Sequence, residues 1–173
     1  ATSILSTRGC PGRCTFCSTD IFGKRIRAHS ADYIFGLIQK LVNEYKIKEI
    51  SFYDDTFTFD RKRVQDLCQK IIENNIDITW SCMSRADCVD EPTILLMKRA
   101  GCHQIGLGIE SADISILNNI RKNLDLAQIK KVSKWIKKSG IDLRGMFMFG
   151  NPGETKRSIE RTIKFSIDLD PDL

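Results

Sequence analysis

An α/β fold with parallel strands is predicted for this 173-residue chain by two observations. Short β-branched or aromatic runs alternate with amphipathic helical stretches, and each strand-plus-helix pair takes roughly 30 to 45 residues, the span of a crossover unit. A composition of 42% hydrophobic and 28% charged residues, with only 11 Gly and 4 Pro, is that of a globular chain and excludes a disordered or collagen-like one. The length supports one domain with one core.

The first strand is the SILST segment. Ser30 then caps a helix reaching Lys46, because Ile34, Leu37, Ile38, Leu41, Val42 and Tyr45 recur at helical spacing. EISFYDD reads as a second strand, and Asp60 caps a helix with Val64, Leu67, Cys68, Ile71 and Ile72 on one face. Ile76, Ile78, Trp80 and Cys82 alternate as a third strand, and Asp90-Glu91-Pro92 opens a helix that closes at Ala100-Gly101. HQIGLGIE is the fourth strand. A helical stretch follows, its stronger half running from Asp125 to Gly140, and IDLRGMFMFG reads as a fifth strand buried on both faces. After Asn151-Pro152-Gly153 the last helix runs from about Thr155 to Leu169 with Ile159, Ile163 and Ile167 on its apolar stripe. Asp170 to Leu173 reads as the approach to a sixth strand. The expectation is a chain truncated after its fifth βα unit; a complete five-stranded open sheet fits the same periodicity.

The net charge of +5 is mild, and lysines such as Lys130, Lys131, Lys134, Lys137 and Lys138 form a solvated helix face, so nucleic acid is not the expected partner. With no apolar run of the ~20 residues a membrane helix needs and no leader pattern, a soluble, cytoplasmic location is expected. Met83, Met97, Met146 and Met148 read as core. His103 has no partner spaced for metal or triad chemistry, and no nucleophile-elbow or phosphate-loop pattern occurs, which removes hydrolase and NTPase readings.

Seven cysteines are an odd, unevenly spaced set that does not read as a disulfide framework. Cys68, Cys82, Cys88 and Cys102 sit singly and read as small core hydrophobes. Cys10, Cys14 and Cys17 form C-x3-C-x2-C on the loop after the first strand, the edge where α/β folds place ligands, and Pro11 and Gly12 help the loop to wrap. Four thiolates would close a zinc site or saturate a four-iron cluster, whereas three leave a metal position open for chemistry. A zinc site would have to recruit His29.

The segment STRGCPGRCTFCS resembles the cluster-binding loop of the radical S-adenosylmethionine (SAM) superfamily. The resemblance continues through SFYDDTFTFDRKR, WSCMSRADCVD, MKRAGCHQIGLGIES and FMFGNPGETKRSIERTIKF, and it points to the cobalamin-associated branch that includes anaerobic magnesium-protoporphyrin monomethyl ester cyclases and C-methyltransferases. It implies a partial (β/α)6 TIM-like barrel and a radical SAM core over residues 1–173. A cobalamin-binding domain and the C-terminal part would lie outside that core. Cys10, Cys14 and Cys17 would hold three irons of a 4Fe-4S cluster, with SAM on the fourth.

By the same resemblance Phe16 packs near the adenine, Asp54 or Asp55 accepts from the SAM amino group, and Glu110, followed by Ser111 on the same rim, meets the ribose. Gly150 presents backbone to the adenine. An unpaired carboxylate at Glu110 must either face the barrel mouth or be neutralised. Arg85 has two candidate partners, the SAM carboxylate and Glu110, and Glu154 reads as a helix-dipole residue. The implied activity is reductive cleavage of SAM to a 5′-deoxyadenosyl radical for methylation or cyclisation of an unidentified small molecule. A ferredoxin or flavodoxin would serve as electron donor, and cobalamin would bind only the full-length protein. The competing readings are a methylthiotransferase of tRNA or ribosomal protein, and a non-catalytic cluster or zinc module.

Overall fold

The computed structural model describes residues 1–18 and 21–173. β1 (Thr2–Ile4) is followed by a two-residue strand β2 (Thr7–Arg8), which pairs antiparallel with β3 (Arg27–Ala28). Then come α1 (Ala31–Asn43), β4 (Glu49–Phe52), α2 (Arg61–Glu73), β5 (Thr79–Ser84), α3 (Glu91–Arg99) and β6 (Cys102–Glu110). Two helices, α4 (Ile114–Asn119) and α5 (Leu126–Lys138), precede β7 (Asp142–Phe147), and α6 (Lys156–Leu169) closes the succession. The main sheet has the order β1-β4-β5-β6-β7 with every pair parallel, as the alternation requires of a partial TIM-like barrel.

Helix starts follow the sequence signals. The side chains of Ser30, Asp60, Asp90 and Asp125 each accept from a backbone N–H in the first turn, and Thr155 and Ser158 form a reciprocal cap. One face of the sheet meets the helices through Ile50, Phe52, Trp80, Ile105, Leu107, Ile109 and Leu143, all buried. Phe52, Phe57 and Trp80 form its aromatic centre, with ring centroids 4.4 and 5.4 Å apart, and the Trp80 indole N–H donates to the Ala100 carbonyl at 2.7 Å. The opposite face carries Ser51, Ser81, Gln104 and Arg144 around a cavity of about 280 Å³. A bulge between the pairs Trp80↔Cys102 and Ser81↔Gln104 leaves His103 as the extra residue, 3.2 Å from Glu49.

Several expectations need correction. Tyr45 falls beyond the end of α1 and is exposed, and β5 begins at Thr79 because Ile76 and Ile78 belong to the approach. β7 is buried on one face only, since Asp142 and Arg144 are exposed. The C-terminal segment needs none: Gly145 N–H donates to Leu173 O and Asp172 N–H to Leu143 O, so the segment expected to approach a sixth strand runs beside β7. α6 buries Ser158, Thr162, Phe165 and Leu169, while Ile163 and Ile167 are exposed, because the inward stripe is shared with two hydroxyl residues, Ser158 in the cap and Thr162 against Ser111. Of the methionines only Met97 is fully buried; Met83, Met146 and Met148 lie half-exposed on the helix-free side. Cys68, Cys82 and Cys102 are core, but Cys88 is half-buried with its thiol 3.6 Å from Asp87. No helix among the described residues is long and apolar enough to cross a membrane.

Candidate active site

The β2–β3 pairing closes the ends of the cysteine loop upon each other, and no periodicity in the sequence foretells it. Gly9 makes the closure possible: at φ +92° any Cβ would lie 2.3 Å from the Arg25 carbonyl. Cys10 N–H donates to Gly23 O at 3.2 Å, and Thr15 N–H to Ile120 O at 2.9 Å, so the loop is moored both to itself and to the end of α4.

Cys10, Cys14 and Cys17 line one cavity of about 260 Å³ together with Asp55, Thr56, Arg85 and Lys122. The Cys10 and Cys14 sulfurs flank Gly12, where a Cβ would stand 3.3 and 3.9 Å from them. Burial raises the Cys17 thiol pKa, and nearby Cys14 raises it further, against the opposing pull of Lys122. Among the described residues no three His, Cys, Asp or Glu side chains gather tightly enough for a single metal ion. Tetrahedral zinc would draw its thiolates to about 3.8 Å from one another. Thiols spread around one cavity fit a multi-iron cluster, in which each binds its own iron. His29 lies outside the cavity, exposed and stacked on Tyr33 at 4.4 Å.

The two adjacent aspartates separate. Asp54 is fully buried and spent on the fold: Oδ1 accepts from Ser6 N–H at 2.6 Å and Thr7 N–H at 3.0 Å, Oδ2 accepts from the Ser6 hydroxyl, and Arg63 stands 3.8 Å away. Burial lowers the Arg63 pKa, and Asp54 pulls against that shift. Asp55 is exposed and lines the cavity.

Glu110 and Arg85 do not meet. Glu110 pairs with Lys122 at 3.0 Å, the two side chains being 12% and 8% exposed. The pair lies across Gly108, where a Cβ would come within 2.9 Å of both charged atoms. Lys122 also stands 5.8 Å from the centre of the Phe16 ring. Arg85 instead forms a two-point bond with Asp87 at 2.9 and 2.8 Å, donates to Lys122 O at 3.2 Å, and points its remaining nitrogen at the Cys14 sulfur, 3.9 Å away. Burial works against both charges of that pair, yet the contact holds Asp87 below the usual carboxylate range and Arg85 above the usual guanidinium one.

Ser111 is buried, its hydroxyl 3.2 Å from that of Thr162 and accepting from Asp113 N–H. Gly150 is exposed at φ +87°, and its N–H donates to Glu154, which also accepts from Asn151 N–H at 2.9 Å; Glu154 precedes the Thr155 cap, so it closes the turn and is not the first-turn helix-dipole residue expected. Sequence reasoning missed Lys122 and Thr56. The one available signal for Lys122 was that a carboxylate at Glu110 needs neutralising.

Residues 4–166 match the Radical SAM superfamily. The chain is 42% identical to an uncharacterized methyltransferase of Pyrococcus horikoshii over 98% of its own length and 37% of that protein. It is 28% identical to the anaerobic magnesium-protoporphyrin IX monomethyl ester cyclase of Rubrivivax gelatinosus over 96% of the chain and 30% of the relative. The chain thus spans about a third of the length of these curated relatives. In fold it is similar to the radical S-adenosylmethionine methyltransferase TsrM of Kitasatospora setae, solved with cobalamin and a 4Fe-4S cluster, at a TM-score of 0.90 and 18% identity, covering 98% of this chain and 32% of that one. The cobalamin-dependent S-adenosylmethionine radical enzyme OxsB superposes at 0.87 with 21% identity, over 94% of this chain and 26% of OxsB. A match over nearly the whole chain, on a sheet whose thiol loop opens at the strand ends, establishes that the chain belongs to the radical SAM superfamily.

Proposed function

We propose that this chain binds a 4Fe-4S cluster through Cys10, Cys14 and Cys17 and SAM beside it, as the core of a larger cytoplasmic enzyme that methylates or cyclises a small molecule. The observation that carries the reading is the convergence of three thiols on one cavity with two cations and a carboxylate on its wall. The chemistry such a cluster supplies when bound is one-electron reduction of the SAM sulfonium with cleavage of its C5′–S bond. This chain's part is to bind and orient. Lys122 is the cation within reach of a carboxylate, Arg85 adds positive charge to the same wall while its nitrogens stay on Asp87, the Lys122 carbonyl and Cys14, and Asp55 is the acceptor suited to an amine. Glu110 is the partner for ribose hydroxyls, and Phe16 offers an aromatic face and Gly150 a backbone edge for the adenine. The half-enclosed wall limits water around these charges.

The electron comes from a ferredoxin- or flavodoxin-type donor, and cobalamin enters with the rest of the protein. His29 and His103 both lie outside the cavity wall. Anaerobic reconstitution followed by iron and sulfide analysis tests the reading. We expect about four irons per chain, an electron paramagnetic resonance spectrum that changes on adding SAM, and loss of iron on replacing any of the three cysteines by Ala. A single zinc, or a cluster indifferent to SAM, would overturn it.

A further inference from the structure

The Arg85 side chain is 16% exposed, and each of its nitrogens is committed. Two bonds to Asp87 and one to the Lys122 carbonyl fix the plane of the guanidinium, and that plane aims the last nitrogen at the Cys14 sulfur. The aim is therefore built by the fold and needs no ligand to produce it. Among the described residues nothing comparable reaches Cys10: the Thr56 hydroxyl lies 4.0 Å from that sulfur but donates its proton to the Asp55 carbonyl at 2.7 Å. Lys122 is the other cation on the wall, and Glu110 offsets its charge. Asp87 offsets Arg85 less, because its side chain is 44% exposed and water screens it, while the nitrogen nearest the thiol belongs to the more buried partner.

We propose that Arg85 is a positioning residue that donates a hydrogen bond to the Cys14 thiolate and biases a bound cluster toward its reduced form. The inference rests on the reading that Cys14 is a cluster ligand. Reduction places part of the added electron on the thiolate sulfurs, and a fixed donor carrying positive charge stabilises that state more than the oxidised one. A charge-assisted hydrogen bond in a partly dry site contributes on the order of a tenfold change in an equilibrium.

The experiment is a mediated redox titration of the reconstituted chain, followed by electron paramagnetic resonance without SAM, for wild type, R85Q and R85K. R85Q is expected to disfavour reduction about tenfold, a fall of about 59 mV in a one-electron midpoint. R85K keeps the charge, but one ammonium cannot hold Asp87 and reach Cys14 together, so a smaller fall of the same sign is expected. If R85Q fails to take up iron, R85K carries the test. Midpoints of both variants within 1.5-fold of wild type in the reduction equilibrium would overturn the proposal while leaving the cluster-binding reading intact. Wild type that takes up no cluster would overturn that reading instead. Loss of iron from both variants at an unchanged melting temperature would make Arg85 an assembly residue and refute the tuning role.

Discussion

Glu110→Ala removes one half of the buried ion pair that anchors Lys122 on the cavity wall. Lys122 is only 8% exposed, and its ammonium then has neither a partner carboxylate nor free access to water. Breaking a buried pair from one side costs about 3 to 5 kcal/mol, and the adjoining cavity lets some water reach the ammonium, so we work with the lower figure. In a chain of this size each kcal/mol shifts the melting temperature by about 2 to 4 °C, which gives a fall of about 6 to 12 °C. The double variant Glu110→Gln with Lys122→Met removes the stranded charge and should recover most of that loss. SAM binding separates the two roles: losing a charge-assisted hydrogen bond costs about 1.5 to 3 kcal/mol, so both variants should bind SAM roughly tenfold more weakly or worse, with iron content unchanged. The assay is thermal unfolding by circular dichroism alongside SAM titration of reconstituted protein. A melting temperature within about 2 °C of wild type for Glu110→Ala would refute the argument from burial. Wild-type SAM affinity in the double variant would remove Glu110 from the binding site.

Asp54→Asn should lower the melting temperature while leaving SAM affinity alone, since its oxygens serve Ser6, Thr7 and Arg63; Asp55→Asn should do the reverse, and the opposite pattern in a paired melt and titration would exchange their roles. Burial and then Asp87 push the Cys88 thiol up to about 11, against about 8.5 in an unfolded chain. The folded state therefore favours the protonated thiol: its contribution is complete below about pH 8.5 and is lost as pH rises toward about 11. Cys88→Ala should flatten the alkaline fall in stability over that window, and an unchanged slope would contradict the assignment.

Local signals account for what was legible. Helix starts were readable because a capping side chain acts on its own first turn, and the order of strands because alternation forces crossovers. What escaped notice depends on distant pairing. The β2–β3 ladder joins two-residue strands too short to show a period, and its signature is the glycine that must sit at Gly9. The exposed Ile163 and Ile167 show the same limit from the other side: an apolar stripe predicted the helix correctly but named the wrong inward face, because Thr162 is buried against the Ser111 hydroxyl and Ser158 in the Thr155 cap, contacts that hydropathy does not register.

Strand parity, with hindsight, orders most of the site. Ser51, Ser81 and Gln104 stand in register across β4, β5 and β6 on the helix-free face. Side chains on a strand alternate in direction, so stepping by two from each of them keeps to that face. From Ser51 the steps reach Tyr53 and Asp55, from Ser81 they reach Met83 and Arg85, and from Gln104 they reach Gly106 and Gly108, after which β6 bulges and Glu110 sits at φ +66°. Asp55 and Arg85 are cavity residues, and Glu110 folds back over Gly108 beside the cavity's Lys122. The intervening position after Ile50 and Phe52 is Asp54, which the same rule sends to the buried side, where it is found. The choice between the two aspartates was therefore present in the alternation of EISFYDD. Lys122 could not be found this way, since it comes from the turn between α4 and α5, and only the packing of that turn against Gly108 brings its charge to Glu110.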